Sequence, residues 1–346
     1  MKVRKIFQSH ILLTALLTVL LGLSHSVQAQ QDWKATVGGQ SKDMAKQAVA
    51  FLPNELWIHA GDSITWTFAS GDIHTVTFLT VGQIYPFNPP GCPNITPSGS
   101  SFDGSSCVSS VPLTLGQKYQ VIFPAAGNYE IVCLVHGQMF GTIHVLDPSL
   151  PLPYDQAFYD QQAKEQLEAS LEDGDLHQHH TEHQHSIADM LSAKVASSHS
   201  KSVTAGVGEI AATAGGQQSF SLVRFINGTV KIHAGDTVEW TNLDPEIGHT
   251  ITFGTIPQDL IDPSCSPNCV VSIDPDGAPH ATITSTQQNV HSGLIAALLE
   301  DEPGVPQGPV YPPTRFRITF TTPGTYPYVC AFHDNLGMDG TVIVLP

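Results

Sequence analysis

The feature that most limits how this chain can fold is an internal repeat of domain length. Ile58-His59-Ala60-Gly61-Asp62-Ser63-Ile64-Thr65-Trp66-Thr67 matches Ile232-His233-Ala234-Gly235-Asp236-Thr237-Val238-Glu239-Trp240-Thr241. His74-Thr75-Val76-Thr77-Phe78 matches His249-Thr250-Ile251-Thr252-Phe253, and Phe123 to Tyr129 matches Phe320 to Tyr326. A repeat this long means two copies of one domain, which suits a chain of 346 residues.

Each copy is built of short segments rich in β-branched and aromatic residues, punctuated by Gly-Asp and Pro-Gly turns. Ser63 to Phe68 and Thr237 to Thr241 alternate polar and apolar residues, which is strand periodicity with one buried face. Many short strands with closely spaced turns predict an all-β chain of two tandem sandwiches.

Each copy ends on a loop with a soft ligand set. The first reads Cys133-Leu134-Val135-His136-Gly137-Gln138-Met139, the second Cys330-Ala331-Phe332-His333 followed by Met338. Two imidazoles and a thiolate in a trigonal array, with a weak axial thioether, accept both Cu(I) and Cu(II). Each loop supplies three such groups. His74 and His249, at equivalent positions of the repeat, are the candidates for the fourth. A lone Cys-x2-His could be a packed thiol beside an ordinary histidine, but the doubled set makes chance remote. The expectation is two copper sites: His74, Cys133, His136 and Met139, then His249, Cys330, His333 and Met338. His59 and His233 also repeat and read as surface or structural. His144 and His280 have no counterpart and read as bland.

Here both copies resemble the cupredoxins, the blue-copper family of plastocyanin, amicyanin and azurin, over roughly residues 33–146 and 207–346. Cys-x2-His-x4-Met-x-Gly in copy two is similar to the plastocyanin loop. The shorter Cys-x2-His-x2-Met-x-Gly of copy one is similar to that of amicyanin. The resemblance implies Greek-key β-sandwiches and type 1 copper. It also implies that His136 or His333 presents its edge to solvent as an electron port, beside an apolar docking collar. One departure concerns the Asn that commonly follows the first ligand histidine in plastocyanins and braces the cysteine loop. Thr75 and Thr250 stand there instead. With the unequal loop lengths, this puts equal potentials for the two coppers in doubt.

Residues 1–29 carry a basic start, an apolar run from Ile11 to Leu23 and the small-residue site Val27-Gln28-Ala29, the pattern of a cleaved signal peptide. The run is short for a membrane span. A periplasmic or secreted location follows. Without the leader, 11 basic residues face 31 acidic ones, a formal charge of −20. Such a chain repels nucleic acid and attracts a basic redox partner, although acidity also serves solubility alone. Four cysteines remain outside the copper loops. In an oxidising compartment the local pairing, Cys92–Cys107 and Cys265–Cys269, is preferred among the three possible.

The expected domains are 30–148 and 206–346, joined by a partly helical, His-rich linker over 149–205. Tyr154 to Glu172 has helical composition and a weak apolar stripe through Ala157, Phe158, Ala163, Leu167 and Leu171. His177, His179, His180, His183 and His185 follow within nine residues. They have the spacing for weak metal binding or for a solvated linker, and Ser, Ala, Lys and Gly then predict a flexible tether. Copy two carries an insertion over 274–313, with a short helix expected around Gly293 to Leu299 and a Pro-rich stretch from Pro303 to Pro313.

Two cupredoxin-like copies raise the question of an enzyme. Multicopper oxidases use paired His-x-His motifs, which occur here only in the linker, and the cysteines are flanked by Val132 and Leu134, and by Val329 and Ala331. Copper nitrite reductases place a ligand just before the cysteine, where Val132 and Val329 stand. The preferred reading is an exported electron carrier, not an enzyme. The alternatives are a two-domain copper oxidoreductase and a copper storage protein using the histidine run.

Overall fold

A computed structural model describes residues 30–83, 92, 95–194, 199–297 and 312–346, with backbone only for 187–194. The expected leader and most of the Pro-rich stretch lie outside them.

The sequence alternation becomes burial alternation. Ile64, Trp66 and Phe68 point into the core of copy one, and Val238 and Trp240 into that of copy two. Trp66, Phe78, Phe102, Phe123 and Tyr129 pack together in the first core. Trp240, Phe253, Phe320 and Tyr328 do so in the second. Such ring pairs supply most of the apolar area that holds a sandwich closed.

The repeated Gly-Asp turn has a mechanical basis. Gly61 and Gly235 both have φ +99°, a region that suits glycine. The next carboxylate closes the turn, accepting from the amides of His59 (3.0 Å) and His233 (2.8 Å).

The described strands form three sheets, with parallel as well as antiparallel pairs. Strand Asp32–Gln40 pairs parallel with Ser63–Phe68 and antiparallel with Lys46–Leu52. Ser200–Thr213 pairs in the same way with Thr237–Leu243 and Gly216–Ile226. One sheet runs through both copies, because Ser219–Leu222 pairs antiparallel with Lys46–Val49. Each copy closes its sandwich with a sheet of its own. The two copies are therefore joined edge to edge by backbone hydrogen bonds.

Three expectations about the connections need correction. The helix does not stop at Glu172 but runs from Gln156 to Lys194 and contains the whole histidine run. It lies on the strands: Tyr159 is fully buried, Leu167 covers Gly39, and Lys46 pairs with Asp175. The expected tether after the run is partly strand, since Ser200–Thr213 belongs to copy two, so the expected boundary at 205 falls inside it. Among the described residues, Gly293 to Ala297 do not form the expected helix. Asn289–His291 is a strand, and Ile295 makes an isolated β-bridge with His249. Gly293 has φ +68°, which a helix does not admit.

Both expected disulfides, Cys92–Cys107 and Cys265–Cys269, are present. Cys133 and Cys330 form none.

Candidate metal centres

Each centre is assembled from two pieces of chain. The first histidine stands just ahead of a short core strand, Thr77–Phe78 or Thr252–Phe253, and is pinned by an antiparallel bridge, His74 to Leu113 and His249 to Ile295. The cysteine loop leaves the next-to-last strand and returns on itself. Cys133 N donates to Met139 O at 3.1 Å, and Cys330 N to Met338 O at 3.0 Å. In the second loop a short 3-10 turn over Asp334–Leu336 absorbs the two extra residues.

The result is two buried triads, His74–Cys133–His136 and His249–Cys330–His333, whose ligand atoms in each lie within 4.8 Å of one another. Cys133 Sγ is 3.6 Å from His136 Nδ1. Cys330 Sγ is 3.4 Å from His333 Nδ1 and 3.8 Å from His249 Nδ1. Met139 and Met338 are fully buried in the same loops.

The donor set fits a soft metal ion. His74 Nδ1 is buried without a hydrogen-bond partner, while its Nε2 is held by Ser70 Oγ at 2.9 Å, which fixes the ring and leaves Nδ1 for a ligand. Backbone amides of Thr75 and Thr250 point at the two sulfurs, each at 3.4 Å. Burial opposes a thiolate at both cysteines. Hydrogen bonds and charge from the neighbouring histidines outweigh it and hold both thiols well below their usual range.

Thr75 and Thr250 take over the bracing role. Leu134 N donates to Thr75 Oγ1 and Ala331 N to Thr250 Oγ1, both at 2.7 Å. Glycine makes room on the far side. A Cβ on Gly38 would come within 2.8 Å of His74 Nε2, and one on Gly206 within 2.1 Å of His249 Nε2.

The expectation that His136 or His333 opens to solvent is overturned. They are only 4% and 5% exposed. The copies meet loop to loop, so each would-be port faces the other copy. Gln138 N donates to Glu246 Oε1 across the junction, and Leu336 packs on Gly71. Between the two histidines lies Asp72, itself buried, with Oδ2 3.3 Å from His136 Nε2 and Oδ1 3.9 Å from His333 Nε2. Burial opposes its charge, but the imidazoles of His136, His333 and His74 overcome this and hold the carboxyl well below its ordinary range. The same carboxylate and the thiols raise His136 and His333 despite their burial. A cleft of about 330 Å³ opens above this junction, rimmed by Ile73, Val135, Leu294 and Phe332.

Sequence reasoning missed Asp72. The one available signal was its asymmetry: it stands two residues before His74, where copy two has Ile247.

The histidine run does not converge. His177 bonds Glu209, His185 bonds Thr204, and His179 faces Glu182. Among the described residues, groups of three or more ligating side chains form only at the two triads.

The family described as copper binding proteins, plastocyanin/azurin family, matches residues 38–146 and 211–345, most of the chain and both copies. The chain belongs to this family. The plastocyanin/azurin fold therefore occurs twice here, and copper binding is the property that the family description carries. Among solved structures, oxidised plastocyanin from Dryopteris crassirhizoma is 24% identical, covering 42% of this chain and 99% of that one, with a TM-score of 0.21. A purple cupredoxin from Nitrosopumilus maritimus is 20% identical, covering 42% and 98%, with a TM-score of 0.22. A reduced amicyanin variant is 18% identical, covering 33% and 82%, with a TM-score of 0.23. No curated protein matches the chain.

Proposed function

We propose that this plastocyanin/azurin-family chain is an exported electron-transfer protein with two type 1 copper ions, one per copy. His74, Cys133, His136 and Met139 would hold the first, and His249, Cys330, His333 and Met338 the second. The observation that carries this reading is the pair of equivalent buried His–Cys–His triads. Copper in such a site supplies one-electron redox chemistry at a thiolate. The chain's own residues favour the thiolate form of both cysteines and orient the imidazoles in a largely buried site, so little has to rearrange when charge changes. Two disulfides and the leader-like start support a periplasmic or secreted location. The excess of acidic residues suits a basic redox partner protein. Valines before both cysteines offer no ligand for a second catalytic copper of the nitrite-reductase kind.

The test is copper content and visible absorbance of the purified, copper-loaded chain. Two coppers per chain with an intense blue thiolate band are expected. Cys133→Ser and Cys330→Ser should each remove one copper and part of the band. A colourless protein without tightly bound copper overturns the reading. Turnover of oxygen or nitrite would place the chain among the copper oxidoreductases.

A further inference from the structure

The two centres are not separate. Their second-loop histidines turn their outer edges toward each other, and one carboxylate lies between them. In each, Nδ1 faces the cysteine sulfur, so Nε2 is the nitrogen left to carry a proton and donate. Asp72 Oδ2 is 3.3 Å from Nε2 of His136, and Oδ1 is 3.9 Å from Nε2 of His333.

The carboxylate is held in place from several sides. Its Oδ1 also accepts from Ile73 N at 2.8 Å. Gly71 N donates to Gln40 Oε1 at 2.7 Å, and Thr114 Oγ1 donates to Gly71 O at 3.0 Å. Leu336, from the cysteine loop of copy two, closes on Gly71. Asp72 is 6% exposed, and a buried carboxylate persists only beside groups that compensate its charge. The two imidazoles supply that compensation. The corresponding place in copy two holds Ile247, so Asp72 has no counterpart there, and the buried Asp244 bears on the copy-two centre alone.

We propose that Asp72 is a positioning residue shared by both metal centres, which links His136 to His333 and biases both centres with one charge. The proposal rests on the two-site reading above. A negative charge beside a ligand imidazole, in a largely buried site, favours the more positive oxidation state of the bound metal. It therefore lowers both potentials together. It also lies against the outer nitrogen of both rings, at 3.3 Å from His136 and 3.9 Å from His333. A carboxylate serving only the fold would affect neither.

The test uses Asp72→Asn, which keeps the shape and removes the charge, and Asp72→Glu, which keeps the charge. Potentials are read for both coppers in the full chain, and singly in chains carrying Cys133→Ser or Cys330→Ser. The proposal expects Asp72→Asn to raise the potential of both centres and Asp72→Glu to bring both back toward the starting values. In the zinc-substituted chain, both Nε2–H proton signals should shift in Asp72→Asn. Movement of one centre only, or of neither, overturns the proposal. Failure of the unsubstituted chain to bind two coppers overturns the two-site reading instead, and the zinc-based signals still decide the role of Asp72. Thermal unfolding of the metal-free variants checks the fold. If Asp72→Asn does not fold, Asp72→Glu decides through the same two Nε2–H signals, which should both stay near their unsubstituted positions; a large shift of either overturns the proposal.

Discussion

The hydroxyl of Thr75 accepts a hydrogen bond from the amide of Leu134 at 2.7 Å. It ties the bridge segment bearing His74 to the loop bearing Cys133. Thr250 and Ala331 repeat the relationship at the same distance. Replacing Thr75 by Val keeps the shape and orphans a half-buried amide, which costs about 1–3 kcal/mol. Thermal unfolding of Thr75→Val should fall accordingly, and the absorption of the first centre should shift while that of the second holds. An unchanged spectrum would remove the brace from the account.

Gly206 sits against His249. Its φ is +82°, and a Cβ there would lie 2.1 Å from the ring nitrogen. Gly206→Ala must displace the histidine and also carry a left-handed backbone costing roughly 1–2 kcal/mol. Copper content should drop from two per chain to one, with copy one intact. Retention of two coppers would show that the ring can move without losing its ligand position.

Tyr159 fastens the helix to copy one. Its hydroxyl accepts from Trp57 N at 2.8 Å and donates to Trp57 O at 3.0 Å. Burial pushes its pKa up to about 12. Tyr159→Phe leaves both backbone groups unpaired and should lower stability by about 1–3 kcal/mol. Limited proteolysis should cut the variant faster near Tyr154 to Asp160, with copper content unchanged. Equal proteolysis rates would show that the ring alone holds the helix.

Arg317 gathers three carboxylates, donating to Asp274 (2.9 Å), Asp276 (2.7 Å) and Glu239 (2.7 Å). Its hydrogen bonds hold Asp274 below the ordinary carboxyl value of 3.8 and bring Asp276 down to about 2. Depressed carboxyl values stabilise the fold above the ordinary value, and the stabilisation fades as pH falls toward the folded one. Arg317→Met should melt below the unsubstituted chain at pH 7, and the gap should narrow as pH drops from about 4. A gap independent of pH would mean that packing of the arginine stem dominates.

The fold was legible because its signals are local. Strand alternation, the Gly-Asp turn and the doubled blocks each specify a conformation over a few residues, and repetition confirmed the register. The two triads were legible for the same reason: Cys133 and His136 share one loop, and His74 recurs at the matching place as His249. The histidine run misled, because composition alone does not distinguish a tether from a long helix lying on strands. The insertion misled as well. The described part of its apolar run, Leu294 to Ala297, is not helical: Ile295 exchanges two backbone hydrogen bonds with His249, and Asn242 Nδ2 donates to its carbonyl.

By itself, then, the sequence determined two cupredoxin sandwiches and a His–Cys–His triad in each, since both follow from short-range pattern and its repetition. Only the tertiary structure decided where those sets face. Pairing of Ser219–Leu222 with Lys46–Val49 brings the two cysteine loops together, leaves both histidines largely buried and places Asp72 between them. No residue spacing encodes that placement, because it arises from contacts between segments far apart in the chain.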